Sequence, residues 1–110
     1  MTRVVFETED GRITGFEASG HAMYGKKGSD IICASISVLI INTINAIINL
    51  NGEEHEYAED EAEGVIIFRV PHMKKESTGT LFEALYMGLD GIRSEYGKKY
   101  LELRKKEVRK

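Results

Sequence analysis

The sequence is poor in the residues that build disulfide-linked and metal-binding proteins. Its 110 residues include one cysteine, one proline and no tryptophan. A single cysteine excludes an internal disulfide and leaves too few thiolates for a cysteine-rich zinc site. The three histidines are scattered, without the helical spacing of a zinc-binding pair, so we expect no metal. A chain without disulfides is suited to a reducing cytoplasm.

The chain also lacks a strong excess of charge of either sign. Its formal net charge is −3, so the total charge gives no reason to expect a nucleic-acid partner. With 42% hydrophobic and 30% charged residues, it should fold around a core. The length predicts one domain over residues 1–110. The start, Met1 to Phe6, carries charge too early for a signal peptide, and its apolar run is too short.

Hydrophobic spacing predicts an α+β domain of two layers. Two strands near 2–8 and 12–19 are joined by Asp10-Gly11, which is a strong hairpin signal. A helix is predicted over 31–50, closed by Asn51-Gly52. The later elements are a strand near 64–70 paired with part of the stretch before it, a helix over 79–96 and an optional strand near 100–104. This order, β-β-α-β-β-α(-β), favours a mainly antiparallel sheet covered by two helices.

The first predicted helix is the longest apolar run in the chain. Ile31 to Leu50 could span a membrane by length, but its serines, threonine and asparagines favour a core helix, so we expect no membrane association. At 100° per residue, an apolar sector contains Cys33, Ser37, Ile40 and Ile44. The opposite stripe, which should face solvent or another subunit, is Asn42, Asn45 and Asn49.

The second predicted helix has its own start and stop signals. Ser77 or Thr78 is expected to cap it, and Gly97 to end it. Gly88 and Gly91 predict a close approach to another helix, because each costs about 1 kcal/mol in a helix relative to alanine. The expected buried face is Leu81, Leu85, Leu89, Ile92 and Tyr96.

A thiol and an imidazole bracket the loop before the first helix. His21 follows the predicted second strand, and Cys33 comes 12 residues later in the helix's first turn, where Ser29 or Asp30 can cap the helix. A helix N-terminus and a nearby histidine both favour a reactive thiolate. The pattern therefore fits a catalytic pair, but it fits a buried structural cysteine as well. Ser37, one turn on, could bond to substrate or to a helix carbonyl.

Two charged stretches are each either a solvated surface or a binding site. Residues 53–63 carry seven carboxylates and are either a solvated edge or a docking surface for a basic partner. The basic end, 104–110, is either solvated or contacts RNA. His55 and His72 are expected at the surface.

The motif residues resemble those of the ribosomal-processing cysteine proteases, called Prp. The similarity is carried by Gly20-His21-Ala22, by Asp30-Ile31-Ile32-Cys33-Ala34 with Ser37, and by Asn45-Ala46-Ile47. Length and element order extend it over essentially the whole chain.

The resemblance implies a bacterial cytoplasmic endopeptidase. Such enzymes remove an N-terminal extension from the large-subunit ribosomal protein numbered twenty-seven. They are homodimers with a Cys-His dyad and use no cofactor. The nucleophile would be Cys33 and the base His21, and substrate-binding or supporting roles would fall to Gly20, Asp30 and Ser37. The alternative is a ribosome-associated binding or assembly factor on the same fold, with a structural thiol.

Overall fold

A computed structural model of the chain describes residues 1–20 and 31–108, which form five strands and two helices. The expected α+β fold and element order are confirmed, including the optional last strand. The elements are β1 Thr2–Glu9, β2 Arg12–Ser19, α1 Ile31–Asn49, β3 Glu56–Asp60, β4 Val65–Arg69, α2 Glu76–Tyr96 and β5 Leu101–Glu107.

The five strands make one sheet in the order β3-β4-β2-β1-β5. Every neighbouring pair is antiparallel except β1 and β5, which are parallel. The β1–β2 turn has positive φ at both central residues, Asp10 (53°) and Gly11 (80°), as a two-residue type I′ hairpin requires. In the strand order given above, the acidic β3 and the basic β5 are the two edges of the sheet.

One face of the sheet is covered by the helices, and phenylalanines fill the space between. Phe6 pairs with Phe16 across β1 and β2, and Phe16 pairs with Phe68 across β2 and β4, so the three rings share a face. Phe82 of α2 meets Phe16 and Phe68 at ring-centre distances of 6.3 and 6.1 Å. All four side chains are fully buried.

On the other face of the sheet, an ion pair joins two strands that are not neighbours. The guanidinium of Arg69 in β4 donates to both carboxylate oxygens of Glu7 in β1, at 2.8 and 2.9 Å, passing over β2. Gly15 of β2 pairs with both residues and leaves the path open. A Cβ there would lie 2.7 Å from the Phe68 carbonyl oxygen and 3.0 Å from Cγ of Arg69.

Helix α1 buries a different stripe from the one expected. Its buried residues are Ile32, Ile36, Ile40, Thr43, Ile44 and Ile47. Of the four residues predicted within the apolar sector, Ile40 and Ile44 are buried, whereas Cys33 and Ser37 are only partly buried. The buried stripe is centred towards Ile36 and Ile47, because α1 packs against α2 and shares one core cluster with the sheet. The three asparagines of the opposite stripe are exposed, as predicted.

Helix α1 is also the one helix in the described residues that is long and apolar enough to cross a membrane. Its most apolar window has a mean hydropathy of 2.3. Core helices of soluble proteins can be equally long and apolar, and one stripe of α1 packs into the core here.

Helix α2 begins at Glu76, three residues before the predicted start, and the expected cap at Ser77 or Thr78 is wrong. The side chain that anchors the start of the helix is Glu53, from the segment after α1. Its carboxylate is 4% exposed and accepts from the backbone N–H groups of Lys74 and Lys75, each at 3.0 Å at the closest oxygen. It also accepts from Thr78 Oγ1 at 2.6 Å. Glu53 is more than about twenty residues from its partners in the sequence, so no local pattern predicts this contact.

The two helices run antiparallel and approach closely at one glycine. A Cβ on Gly88 would lie 3.0 Å from Cδ1 of Leu39, which confirms the predicted close approach. The same prediction is wrong for Gly91, which has nothing within 4 Å. Tyr96 was expected to be buried but is 50% exposed, because the last turn of α2 extends past the core. Gly97 ends the helix as expected, with its N–H donating to the Arg93 carbonyl.

The hydrogen bonds that the Glu53 carboxylate accepts at the start of α2 lead to a prediction about stability. Burial raises the pKa of Glu53, but hydrogen bonds from Thr78, Lys74 and Lys75, with the charge of Lys74, outweigh burial and leave the pKa below 4.5. Glu53→Gln should lower the free energy of unfolding by about 1–3 kcal/mol at pH 7, because an amide cannot accept all of these bonds. Urea unfolding measures the loss, and Glu54→Gln, at the exposed neighbouring residue, is the control.

The same carboxylate makes that loss depend on pH. A carboxyl whose folded pKa is depressed stabilises the protein above its unfolded pKa, and this contribution disappears as the pH falls through the folded pKa. The stability difference between the parent chain and Glu53→Gln should be constant above pH 4.5 and shrink in more acidic buffer. A difference that does not change with pH would contradict the assignment.

Candidate active site

Four chain segments meet at one end of the sheet. β2 ends there, and β1, β4 and β5 begin there, because of their pairing directions. Two backbone hydrogen bonds tie the end together: Thr2 N–H donates to the Tyr100 carbonyl, and Gly20 N–H to the Gly64 carbonyl, both at 3.1 Å. We call this the catalytic end, because His21, the predicted catalytic base, follows β2 in the sequence.

Gly20 is the most constrained residue at the catalytic end. Its φ is +118°, and a Cβ would lie 2.5 Å from the Met1 carbonyl oxygen and 2.9 Å from Cα of Thr2. Glycine is thus required twice, by its backbone conformation and by the closeness of β1. The next residue, His21, and the predicted cap, Asp30, lie outside the described residues. The structure thus explains why residue 20 is glycine, and the supporting role expected of Gly20, like the roles of His21 and Asp30, stays a prediction.

The thiol belongs to the same end of the molecule. Asn51, just beyond α1, donates to Ser77 Oγ and Thr78 Oγ1 at the start of α2. The antiparallel helices therefore place the first turn of α1 near the end of α2, which leads in four residues to the start of β5. Cys33 is the third residue of α1, and its side chain forms no disulfide, is partly buried and packs against the core.

The other two histidines are at the far end. His55 immediately precedes β3, and His72 follows β4, so both lie where β2 begins rather than where it ends. Both are exposed, as predicted, and His55 Nδ1 is 3.0 Å from the Glu53 carbonyl oxygen. His21 is the one histidine whose place in the chain directly follows the catalytic end.

Ser37 lies one helical turn after Cys33 and is also partly buried. It lines an open groove of about 370 Å³ on the outward side of α1, together with Val38, Ile41, Asn42 and Asn45. Its hydroxyl thus borders the accessible side of the helix rather than the centre of the core. Whether it contacts substrate stays a prediction.

The acidic stretch lies on the flank of the catalytic end. All five residues of β3 are exposed, and the turn at 61–64 reaches Gly20 through the Gly64 carbonyl. The predicted pairing of this stretch with β4 is confirmed. Its position suits either a solvated edge or a docking surface, and the docking role stays a prediction.

Two features of the catalytic end escaped sequence reasoning. The backbone of Met1 packs on Gly20, and the Tyr100 carbonyl accepts from Thr2. Both depend on β1 pairing with β2 and β5 simultaneously. Among residues 1–20 and 31–108, no group of three or more histidine, cysteine or acidic side chains could hold a metal.

The fold, with its thiol in the first turn of the core helix, is that of a cysteine protease, as comparison with known proteins shows. The family model for Cysteine protease Prp matches residues 1–101, and the chain belongs to that family.

Relatives share both the sequence and the fold. The ribosomal processing cysteine protease Prp of Staphylococcus aureus is 28% identical over 88 residues, covering 80% of this chain and 83% of that protein. The Prp of Bacillus subtilis is 28% identical over 93 residues, covering 81% and 83%. A crystal structure of the essential S. aureus protease with a covalently linked product peptide superposes with a TM-score of 0.85. It is 28% identical, and the match covers 96% of this chain and 100% of that one.

The constraint at Gly20 can be tested by a matched pair of variants. Gly20→Ala adds a strained backbone and an overlap with Met1, whereas Gly97→Ala has a similar φ of +106° and nothing within 4 Å. Gly97→Ala should cost about 1–3 kcal/mol of unfolding free energy, and Gly20→Ala clearly more. Equal losses in urea unfolding would mean that β1 yields and the close approach is not a constraint.

Proposed function

We propose that this chain is a cytoplasmic cysteine endopeptidase, acting as one domain over its 110 residues. Its substrate is the N-terminal extension of a large-subunit ribosomal protein, the one numbered twenty-seven in the family pattern. The nucleophile is Cys33 and the base is His21. The observation that carries the proposal is that Cys33 and the end of β2, which leads to His21, lie at the same end of the fold.

The chemistry follows from the thiol's position. His21 takes the proton of Cys33, and the thiolate sulfur attacks the scissile carbonyl carbon. The carbonyl oxygen becomes an oxyanion, for which backbone N–H groups of the α1 first turn are suitable donors. As the C–N bond breaks, the amine leaves with the proton from His21. Water, deprotonated by His21, then attacks the thioester and releases the acid and the thiol.

Three residues support this pair in the proposal. Gly20 lets β2 end against the backbone of β1, which sets where the chain leaves the sheet towards His21. Asp30 precedes α1 directly, and its carboxylate is suited to accept from first-turn N–H groups. Ser37 lies one helical turn after Cys33, and we assign its hydroxyl a hydrogen bond to substrate beside the thiol.

The proposal is tested on a peptide that spans the extension and the first residues of the mature ribosomal protein. Cys33→Ala should abolish cleavage, with a loss of about 10³-fold or more in kcat, because no nucleophile remains. His21→Ala should lower kcat by about 10²–10⁴-fold with less effect on KM. Mass spectrometry of the products reports both.

His72→Ala is the matched control, since it removes an exposed histidine at the far end and should leave kcat unchanged. Cleavage that persists in purified Cys33→Ala would disprove the nucleophile assignment. A loss confined to KM in His21→Ala would move His21 from catalysis to recognition.

The reactivity of Cys33 distinguishes a protease from a non-catalytic assembly factor. A catalytic Cys33 should be alkylated by iodoacetamide at pH 7 faster than free cysteine, because the thiolate is the reacting form. A structural thiol of a binding factor would react more slowly than free cysteine. Denatured protein provides the internal reference for the unperturbed rate.

We also propose a homodimer that forms through the outward side of α1. Exposed apolar residues lie there beside the asparagine stripe: Ile31 is 73% exposed, Val38 65% and Ile41 41%. They line two adjoining shallow grooves. A helix face of this kind on a soluble enzyme is typical of a protein interface.

A charge on that face should dissociate the dimer. Val38→Lys would bury an unpaired ammonium between the subunits and should raise the dimer Kd by at least about tenfold, or about 1.4 kcal/mol. Met87→Lys alters a residue of α2 that is 73% exposed and is the control. Sedimentation velocity over a concentration series measures both. A parent chain that is monomeric throughout, or a Val38→Lys variant as dimeric as the parent, would refute this interface.

A further inference from the structure

Charge is distributed unevenly along this chain. Residues 98–110 contain seven basic and two acidic residues, whereas the preceding 97 contain eight basic and 16 acidic ones. A net charge of −3 therefore conceals a strongly positive end on a strongly negative body. Such asymmetry is a common property of chains that contact nucleic acid.

The fold separates these charges in space as well. The acidic β3 and the basic β5 are opposite edges of the sheet, with three strands between them. Along β5 the cations point to both sides. Lys105 is on the helix side, its Nζ 4.4 Å from the centre of the Tyr86 ring, while Arg104 and Lys106 alternate with it. All three are exposed.

Most of these cations have no carboxylate partner. Glu102 binds both Arg3 and Arg104, so these two charges are partly compensated. Within the described part of the chain, no ion pair involves Lys98, Lys99, Lys105 or Lys106. We call the surface formed by residues 98–106 the basic edge.

We propose that the basic edge binds the phosphate backbone of RNA. Four uncompensated lysines on an exposed edge match the repeated negative charge of a nucleic-acid strand, where counterion release drives association. Tyr96, half exposed, precedes Lys98 by two residues and offers a ring on which a base can stack. Leu101 is buried and Leu103 partly so, which leaves the edge without the apolar residues that a membrane surface would need.

The position of the basic edge next to the catalytic end suggests how RNA binding would help the protease, and this step rests on the proposed function. The basic edge starts at the catalytic end, because the Tyr100 carbonyl accepts from Thr2 next to Gly20. A basic surface there would repel a free basic ribosomal protein. It would instead favour a substrate whose charge is already neutralised by bound RNA. The matched family model ends at Leu101, so Arg104 to Lys106 lie outside the part that defines the family.

The test is the binding of a fluorescein-labelled, single-stranded 20-nucleotide oligouridine, measured by anisotropy between 50 and 200 mM KCl. The parent chain should bind in the range of about 10⁻⁴–10⁻⁶ M, with an affinity that falls steeply as salt rises. Lys98→Gln/Lys106→Gln should weaken binding about tenfold or more at 50 mM and flatten the log–log salt slope by about 1.4. Lys74→Gln/Lys75→Gln removes the same charge at the far end and should keep the parent's affinity.

Three results would overturn the proposal. They are no binding of the oligouridine at 50 mM KCl, equal losses in the two double variants, and stronger binding to phosphatidylglycerol vesicles than to RNA. Repeating the titration with Cys33→Ala separates this inference from the proposed function. RNA binding with no peptide cleavage by the parent chain would leave the basic edge standing and remove the protease. Cleavage without RNA binding would do the reverse.

Discussion

Four phenylalanine rings set the architecture on which the catalytic end depends. Phe6, Phe16 and Phe68 pair across three neighbouring strands, and Phe82 of α2 packs on two of them. A register slip of one residue in any of these strands would turn its ring to the opposite face. Their shared burial therefore fixes which residues of β2 and β4 stand side by side. The hydrogen bond between Gly20 and Gly64 at the catalytic end is one consequence.

The second determinant is the junction between the helices. Glu53 and Asn51, both just after α1, bind the start of α2, so the end of one helix is tied to the beginning of the other. With the close contact of Leu39 and Gly88 in between, the helices can only be antiparallel. This arrangement brings the first turn of α1, with Cys33, to the end of the sheet from which β2 leads to His21. The buried carboxylate is thus far from the thiol but helps to position it.

The catalytic end lies between two flanks of opposite charge. The acidic turn after β3 is joined to Gly20 on one side, and the basic segment before β5 is joined to Thr2 on the other. A peptide from a ribosomal protein is basic, and the RNA around it is acidic, so the two flanks suit two components of the same assembly. The strand order creates this arrangement, because the first and last strands of the chain are neighbours in the sheet. A protease that meets its substrate on RNA would have a use for both.

Much of the fold could be predicted because local spacing carries that information, whereas Cys33 as nucleophile and His21 as base rest on a motif resemblance and stay predictions. Asp10-Gly11 specifies its turn through φ, the apolar runs specify strands and helices through periods of 2 and 3.6, and Gly97 ends α2 by its freedom at positive φ. Predictions failed where the deciding contact was remote. Glu53, rather than Ser77 or Thr78 as a cap, anchors the start of α2. A Cβ on Gly91 would meet nothing within 4 Å, and Cys33 is only partly buried. Sequence alone thus determined the elements and pointed to Cys33 and His21 as candidate reactive groups. Only the tertiary structure placed His55 and His72 at the far end and Cys33 near the catalytic end, because strand order and helix direction arise from contacts between residues far apart in the chain.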